Sequence, residues 1–221
     1  MNAKNQNDKS SCKATPENED FRAKYEGGKV GNRLIDNYFE AVRELTELAG
    51  ITNKGAKAIE IGCGEGFSTK RIDSFIPKNI KLEASEYVER QIPFAKKNNP
   101  GIKVIQESVY DLNHKDKSFD LIYLLEVLEH LDFPEKGLAE VRRVIKNDGY
   151  LMIGVPREPI WSVLNVSRGK YWKSLGNTPG HLNRWSKSGL VKLVEKNFGS
   201  VVAIRNPLPW TLILVRKNEK K

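Results

Sequence analysis

The chain has 221 residues, enough for one well-buried domain and too few for two of ordinary size. Its 39% hydrophobic and 29% charged composition is that of a soluble globular protein, and with no apolar run of about 18 residues we expect no membrane-spanning segment. The 37 basic and 28 acidic residues leave a net charge of +9, which suggests an anionic partner without naming one.

Residues 1–22 are rich in Asn, Lys, Ser, Asp and Glu and have too little to bury to offset their ordering entropy, so a disordered tail is expected there, ahead of a single domain over 23–221. That start lacks the apolar core of a secretory signal, and two cysteines, Cys12 and Cys63, cannot build a disulfide framework. A cytoplasmic, reducing location is the expectation.

From Asn32, Leu34, Ile35, Tyr38, Phe39, Val42, Leu45 and Leu48 recur at steps of three and four up to a stop at Gly50, predicting a helix. Strands and helices then alternate: a strand over Ala58–Ile61, a glycine-rich stretch Gly62–Gly66, a helix over Ser68–Phe75, a strand over Ile80–Ser85, and a helix over Tyr87–Lys97 that contains Pro93. Further strands are predicted over Ile102–Gln106, Phe119–Leu125 and Tyr150–Val155, with a helix from Pro134 to the Asn147-Asp148-Gly149 stop. Residues 156–185 show no clean period. They precede a helix from about Ser186 to Lys196 and two strands, Ser200–Ile204 and Trp210–Val215, joined too closely for a parallel crossover and therefore antiparallel. The repeated βαβ order predicts an α/β fold with a doubly wound sheet.

The charge is local. Residues 1–56 are neutral, 57–155 carry −1 and 156–221 carry +10.

The strand–glycine loop–helix unit is the most informative stretch. It places a ligand at the carboxyl end of the first strand, where the backbone can be approached closely. A dinucleotide fingerprint would read G-x-G-x-x-G, but here the third glycine comes one residue early and Glu60 stands two residues before the first. A carboxylate there repels pyrophosphate and attracts an amino group, which favours a zwitterionic ligand. Glu86, twenty residues past Gly66, is placed to accept both hydroxyls of a ribose, with Glu83 as the rival if the register is shifted.

The strings AIEIGCGEGFST, ESVYDLNHKDKSFDLIYLLEVLEHL and RVIKNDGYLMIGVP, together with Glu86, stand in an order that resembles class I S-adenosylmethionine-dependent methyltransferases over roughly residues 33–216. The resemblance implies a Rossmann-like seven-stranded sheet of six parallel strands and an antiparallel seventh, with helices on both faces, and S-adenosyl-L-methionine as cofactor. Carried over by position, Glu60 and the backbone of Ile61, Gly62, Cys63, Gly64 and Gly66 hold the methionine part. Glu86 takes the ribose and Tyr87 the adenine, Ser108 and Val109 meet the adenine edge and face, and Leu125 and Glu126 face the amino acid and the methyl. Many relatives carry Asp where Ser108 stands. Cys63 reads as a small packed residue and not a nucleophile, since nearby carboxylates disfavour a thiolate.

Methyl transfer is an in-line displacement, so alignment and water exclusion dominate and a base is needed only for an acceptor that must lose a proton. Glu126, Glu129 and His130 form E-x-x-E-H, a spacing that shares one face if the turn is helical. A similar pattern is associated with a divalent metal in the small-RNA 3′-terminal 2′-O-methyltransferases and the quinone-biosynthesis O-methyltransferases. The commoner role is a structural brace, and no metal is expected here. The candidate catalytic residues are Glu126, His130 and His181.

Residues 156–185 mix Trp161, Tyr171, Trp172 and Trp185 with Arg157, Arg168, Lys170, Lys173 and Arg184 against one acid, Glu158. Such a segment suits an anionic group on an apolar or planar body. It is expected to roof the acceptor site together with the segment around Tyr25 to Arg33. The expected acceptor is a small or lipid-linked anionic molecule methylated on oxygen, and the expected assembly a monomer or homodimer. Alternatives are an RNA substrate, a silent scaffold with the same fold, and peripheral attachment of the basic C-terminal third to anionic membrane.

Overall fold

The computed structural model describes residues 28–218. The polar tail over 1–22 and Tyr25 of the roofing segment lie outside them. Helix α1 spans Lys29–Leu48, followed by β1 (Ala56–Ile61), α2 (Phe67–Phe75), β2 (Ile80–Glu86), α3 (Ile92–Asn98), β3 (Lys103–Gln106), β4 (Phe119–Leu125), α4 (Pro134–Val144), β5 (Ile145–Pro156), α5 (Ile160–Ser167), α6 (Lys187–Asn197), β6 (Gly199–Arg205) and β7 (Trp210–Lys217). Short 3-10 turns cover Glu89–Gln91, Leu128–His130 and Trp172–Ser174.

The strands form one sheet in the order β3-β2-β1-β4-β5-β7-β6. Strands β1 to β5 pair in parallel, and β7 runs antiparallel to both neighbours. This is the expected sheet of six parallel strands and an antiparallel seventh. Strand β4 is buried at all seven residues, and its period of two sorts them between layers. Ile122 and Leu124 pack with Leu138, Val141, Leu190 and Val194 of α4 and α6, whereas Leu121, Tyr123 and Leu125 pack with Val42 and Leu45 of α1 and Ile72 of α2. The chain winds from β1 outward to β3 and then returns to β4 on the other side of β1. The carboxyl ends of β1 and β4 therefore flank a topological switch point, the place where open α/β sheets hold ligands. Among the described residues no helix is long and apolar enough to cross a membrane.

Four local readings are corrected. Pro93 lies in the first turn of α3, which begins at Ile92 and not Tyr87, because proline fits where no backbone donor is required. Helix α4 ends at Val144, since Ile145 already pairs with Phe119 as the start of β5. Asn147-Asp148-Gly149 consequently lies inside a strand, where a β-carbon on Gly149 would stand 3.1 Å from the Asp120 carbonyl. The segment 156–185, without visible period, contains α5, and Glu158 accepts from the Ser162 N–H and hydroxyl within it. The fourth correction concerns E-x-x-E-H. Glu126 has φ 57 and its N–H donates to the Gly154 carbonyl at 2.8 Å, so it stands outside the Leu128–His130 turn and shares no helical face with Glu129 and His130.

Candidate active site

The loop after β1 turns back on the end of β2. The N–H groups of Gly62 and Cys63 both donate to the Ser85 carbonyl, at 2.8 and 2.9 Å. Gly62, Gly64 and Gly66 all have positive φ, at 79, 56 and 84°, the region that glycine enters without steric cost. Their surroundings differ. A β-carbon on Gly62 would meet Val127 Cγ2 at 2.5 Å and one on Gly66 would meet Asn99 Nδ2 at 2.3 Å, but one on Gly64 would find nothing nearer than Gln91 Oε1 at 3.7 Å. Protein packs tightly against the outer two glycines, whereas the middle one leaves room for a β-carbon at ordinary contact distance. From α3, Asn98 Nδ2 donates to the Glu65 carbonyl at 2.8 Å and the Asn99 amide donates to the Gly66 carbonyl at 2.9 Å.

Two buried carboxyls converge on this loop. Glu86 ends β2, where Oε2 accepts from the Gly64 N–H at 2.7 Å and Oε1 from the Val88 N–H at 2.8 Å. The carboxylate keeps acceptor capacity for a ligand hydroxyl. Burial pushes its pKa up, against the pull of the Val88, Gly64 and Tyr87 N–H groups. Glu60 accepts from the Thr69 hydroxyl through Oε2, and its Oε1 is buried with no hydrogen-bond partner among the described residues. Burial pushes the Glu60 carboxyl up to about 7, a shift opposed by the nearby Ser68 and Thr69 hydroxyls and reinforced by Glu86. The rival Glu83 is placed elsewhere, within reach of Lys81 and Lys103 at 3.9 and 3.7 Å. Burial, and then Glu60 and Glu86, push the Cys63 thiol up, in keeping with a packed residue and not a nucleophile.

A second group lies across the switch point. Glu129, His130 and His181 are all buried, and their ligand-type atoms lie within 4.8 Å of one another. The His130 and His181 rings meet edge to face with centroids 4.9 Å apart, and Trp161 stacks on His181 at 6.1 Å. His130 Nδ1 lies 3.0 Å from the Gly180 carbonyl. A carbonyl can only accept, so Nδ1 carries the hydrogen and Nε2 is the basic nitrogen of the neutral ring. The Glu129 carbonyl accepts from the N–H groups of Leu182 and Asn183 at 2.8 and 3.0 Å, which ties the segment 156–185 to the turn. Two imidazoles and a carboxylate can hold a transition-metal ion or move a proton. Val127 of the same turn abuts Gly62, so both groups border one site.

Residues 59–153 match the family described as Methyltransferase domain. The chain is 33% identical over 99 residues to an uncharacterised protein of Methanocaldococcus jannaschii, covering 45% of this chain and 44% of that one. It is 29% identical over 104 residues to a protein of Mycobacterium tuberculosis called "Probable S-adenosylmethionine-dependent methyltransferase", covering 47% and 37%. The chain thus spans less than half the length of these relatives. In structure it superposes on a SAM-dependent methyltransferase from Aquifex aeolicus with a TM-score of 0.63 at 16% identity, over 79% of this chain and 89% of the other. Residues 59–153 thus carry a methyltransferase domain, set in the fold of S-adenosylmethionine-dependent methyltransferases. Such a domain and fold imply S-adenosyl-L-methionine as cofactor, and the residues present fit that molecule. The Glu60 oxygen without a partner among the described residues can take an ammonium, the room beside Gly64 admits a ligand against the backbone, and Glu86 at the end of β2 can accept ribose hydroxyls.

Of the remaining sequence candidates, Tyr87 is exposed just beyond β2 and Leu125 is buried at the end of β4. Ser108 is half-buried, and its hydroxyl lies 3.2 Å from the Tyr110 N–H as acceptor. Val109 is buried among core residues that include Leu131. Sequence reasoning missed Tyr38, Trp210 and the role of Arg157. The Tyr38 hydroxyl sits over Gly154 of β5, 2.3 Å from where a β-carbon would be, and its ring packs on Trp210 at 5.0 Å. Arg157 Nε and Trp210 Nε1 are buried with no hydrogen-bond partner among the described residues. Trp210 opens β7 opposite Pro156 of β5, a pairing that local periodicity does not encode.

The Glu60 carboxyl makes the methyltransferase domain pH-sensitive. Folding raises its pKa from 4.5 to about 7, so between those values the unfolded chain gives up a proton that the folded chain retains. The associated stability is full below about pH 4.5 and is lost as pH rises toward 7, amounting to about 3 kcal/mol. Thermal melts of cofactor-free protein from pH 5 to 8 should show the wild type losing stability relative to Glu60→Gln. Parallel profiles for the two proteins would contradict this.

Proposed function

We propose that the protein transfers a methyl group from S-adenosylmethionine to an oxygen of a small or lipidic anionic acceptor held over the carboxyl ends of β4 and β5. One observation carries the reading: the His130–His181 pair, assembled from distant segments on a turn that abuts the glycine loop. An oxygen acceptor gains nucleophilicity by losing its proton, and His130 Nε2 is the basic nitrogen at this position. His181 and Glu129 stabilise the imidazolium that results, and Trp161 holds His181 by stacking. Glu126 borders the methyl. Arg157, whose buried Nε lacks a partner among the described residues, pairs with the acceptor's negative charge, since a buried donor gains most from a charged acceptor. When bound, S-adenosylmethionine supplies an electrophilic methyl on its sulfonium. Tyr38, Trp161 and Trp210 exclude water from the acceptor side.

The test uses S-adenosylmethionine with a radiolabelled methyl group, incubated with the protein and a cell extract that is then fractionated. Label is expected in the small-molecule or organic-extractable fraction. The His181→Ala variant should lower turnover of that acceptor about 100-fold while leaving cofactor affinity unchanged. Label confined to nuclease-sensitive polymer would overturn the reading in favour of RNA, and cofactor binding with no transfer would favour a silent scaffold.

A further inference from the structure

The loop after α5 combines exposed apolar side chains with positive charge. From Arg168 to Leu175 it reads RGKYWKSL, with three cations and no acid, and only Tyr171 is even half-buried. Trp172 is 65% and Leu175 79% exposed, and Val163 on α5 is 62% exposed.

These side chains are held outward by a built scaffold. The Lys170 N–H donates to the Asn165 carbonyl at 2.8 Å, the Gly176 N–H donates to the Tyr171 carbonyl at 2.9 Å, and the buried Asn165 amide donates to the Gly176 carbonyl at 2.9 Å. Gly176 lies so close to α5 that a β-carbon would stand 2.1 Å from the Ser162 carbonyl oxygen, next to Val163. Tyr171 and Leu175 have φ of 55 and 52°, a left-handed conformation that bulky residues seldom adopt. The fold sustains that strain while leaving a tryptophan and a leucine in water, where they forfeit the gain from burial.

We propose that residues 168–175 dock the protein on an anionic lipid bilayer. Trp172 and Leu175 enter the headgroup boundary, and Arg168, Lys170 and Lys173 pair with lipid phosphates. Charge complementarity names this partner, because the chain's positive excess is confined to the third that contains the loop. The aliphatic side chains favour lipid over nucleic acid, since Leu175 and Val163 offer neither a ring to stack on a base nor a charge for phosphate. The lysines favour lipid over a protein partner, whose interface cores are depleted in lysine. The inference goes beyond methyl transfer and holds whatever the acceptor. It also sets the membrane beside the acceptor side of the site, because Asn165 and Trp161 share Thr178 Oγ1, at 3.2 and 2.9 Å, and Trp161 stacks on His181.

Sedimentation of the nuclease-treated full chain with phosphatidylcholine vesicles, and with equimolar phosphatidylcholine–phosphatidylglycerol vesicles, tests it. Binding is expected to the anionic vesicles alone and should weaken with salt. The Trp172→Ser/Leu175→Ser and Lys170→Glu/Lys173→Glu double variants alter only exposed side chains and should melt like the wild type while losing at least about tenfold in vesicle affinity. Brominated lipid should quench fluorescence in the wild type and not in Trp172→Phe. Failure of the wild type to sediment, or undiminished binding by the Trp172/Leu175 variant, would overturn the proposal. So would displacement of the protein from vesicles by single-stranded RNA.

Discussion

Replacing Glu86 by alanine is expected to weaken S-adenosylmethionine binding by at least about 100-fold while leaving the sheet folded. The Glu86 carboxylate performs two tasks from one position: it receives the Gly64 and Val88 N–H groups at 2.7 and 2.8 Å and presents its other acceptor sites at the end of β2. Hydrogen bonds to a charged group contribute about 1.5–3 kcal/mol each, so losing the loop brace together with a ribose contact corresponds to a factor of about 10² to 10⁴. Isothermal titration with the cofactor, paired with a thermal melt, separates the two losses. Glu86→Gln keeps one acceptor oxygen and should fall between. Unchanged affinity in Glu86→Ala would remove this residue from the cofactor site.

The second large effect contrasts two glycines of one loop. Gly66→Ala should destabilise the fold by about 3 kcal/mol, because two costs combine. The positive φ of 84° penalises any L side chain by roughly 1–2 kcal/mol. The new methyl would also collide with Asn99 Nδ2 at 2.3 Å and Ala95 Cα at 3.0 Å, breaking the buried amide's bonds to the Gly66 and Ala95 carbonyls, a loss of about 1–3 kcal/mol. In a domain of this size that lowers the melting temperature by roughly 10 °C. Gly64→Ala should cost only about 1 kcal/mol of stability, as its nearest neighbour is at the ordinary contact distance of 3.7 Å. Its methyl stands where the loop lies open, so the variant should stay folded and lose cofactor binding. If instead Gly64→Ala binds normally and Gly66→Ala melts like the wild type, the division of the loop into a packed side and an open side is wrong.

The glycine loop and Glu86 were legible in advance because their chemistry is local. A tight turn at the end of an apolar strand demands positive φ, and the acid assigned by position to the ribose ends the next strand, both readable from order and spacing. The E-x-x-E-H reading failed for the complementary reason. It assumed helical spacing across Glu126, whose φ of 57° ends β4 and turns the chain out of register with the short turn that follows. His181 was recognised as a candidate without a partner, because residues fifty positions apart in sequence are brought together only when the Gly180 carbonyl meets His130 Nδ1 at 3.0 Å.

By itself the sequence determined the alternation of strands and helices, the doubly wound sheet with an antiparallel seventh strand, and the cofactor class. The first two rest on periodicity and connection lengths, which the backbone expresses within a few residues, and the cofactor class on the resemblance carried by the ordered motifs. It also located the positive charge in the last third. Only the tertiary structure decided what that third does with its residues. It gathered His181 against His130 and Glu129, buried Arg157 Nε and Trp210 Nε1, and held Trp172 and Leu175 out in water. Each of these outcomes depends on contacts between segments distant in the chain, which no local pattern specifies.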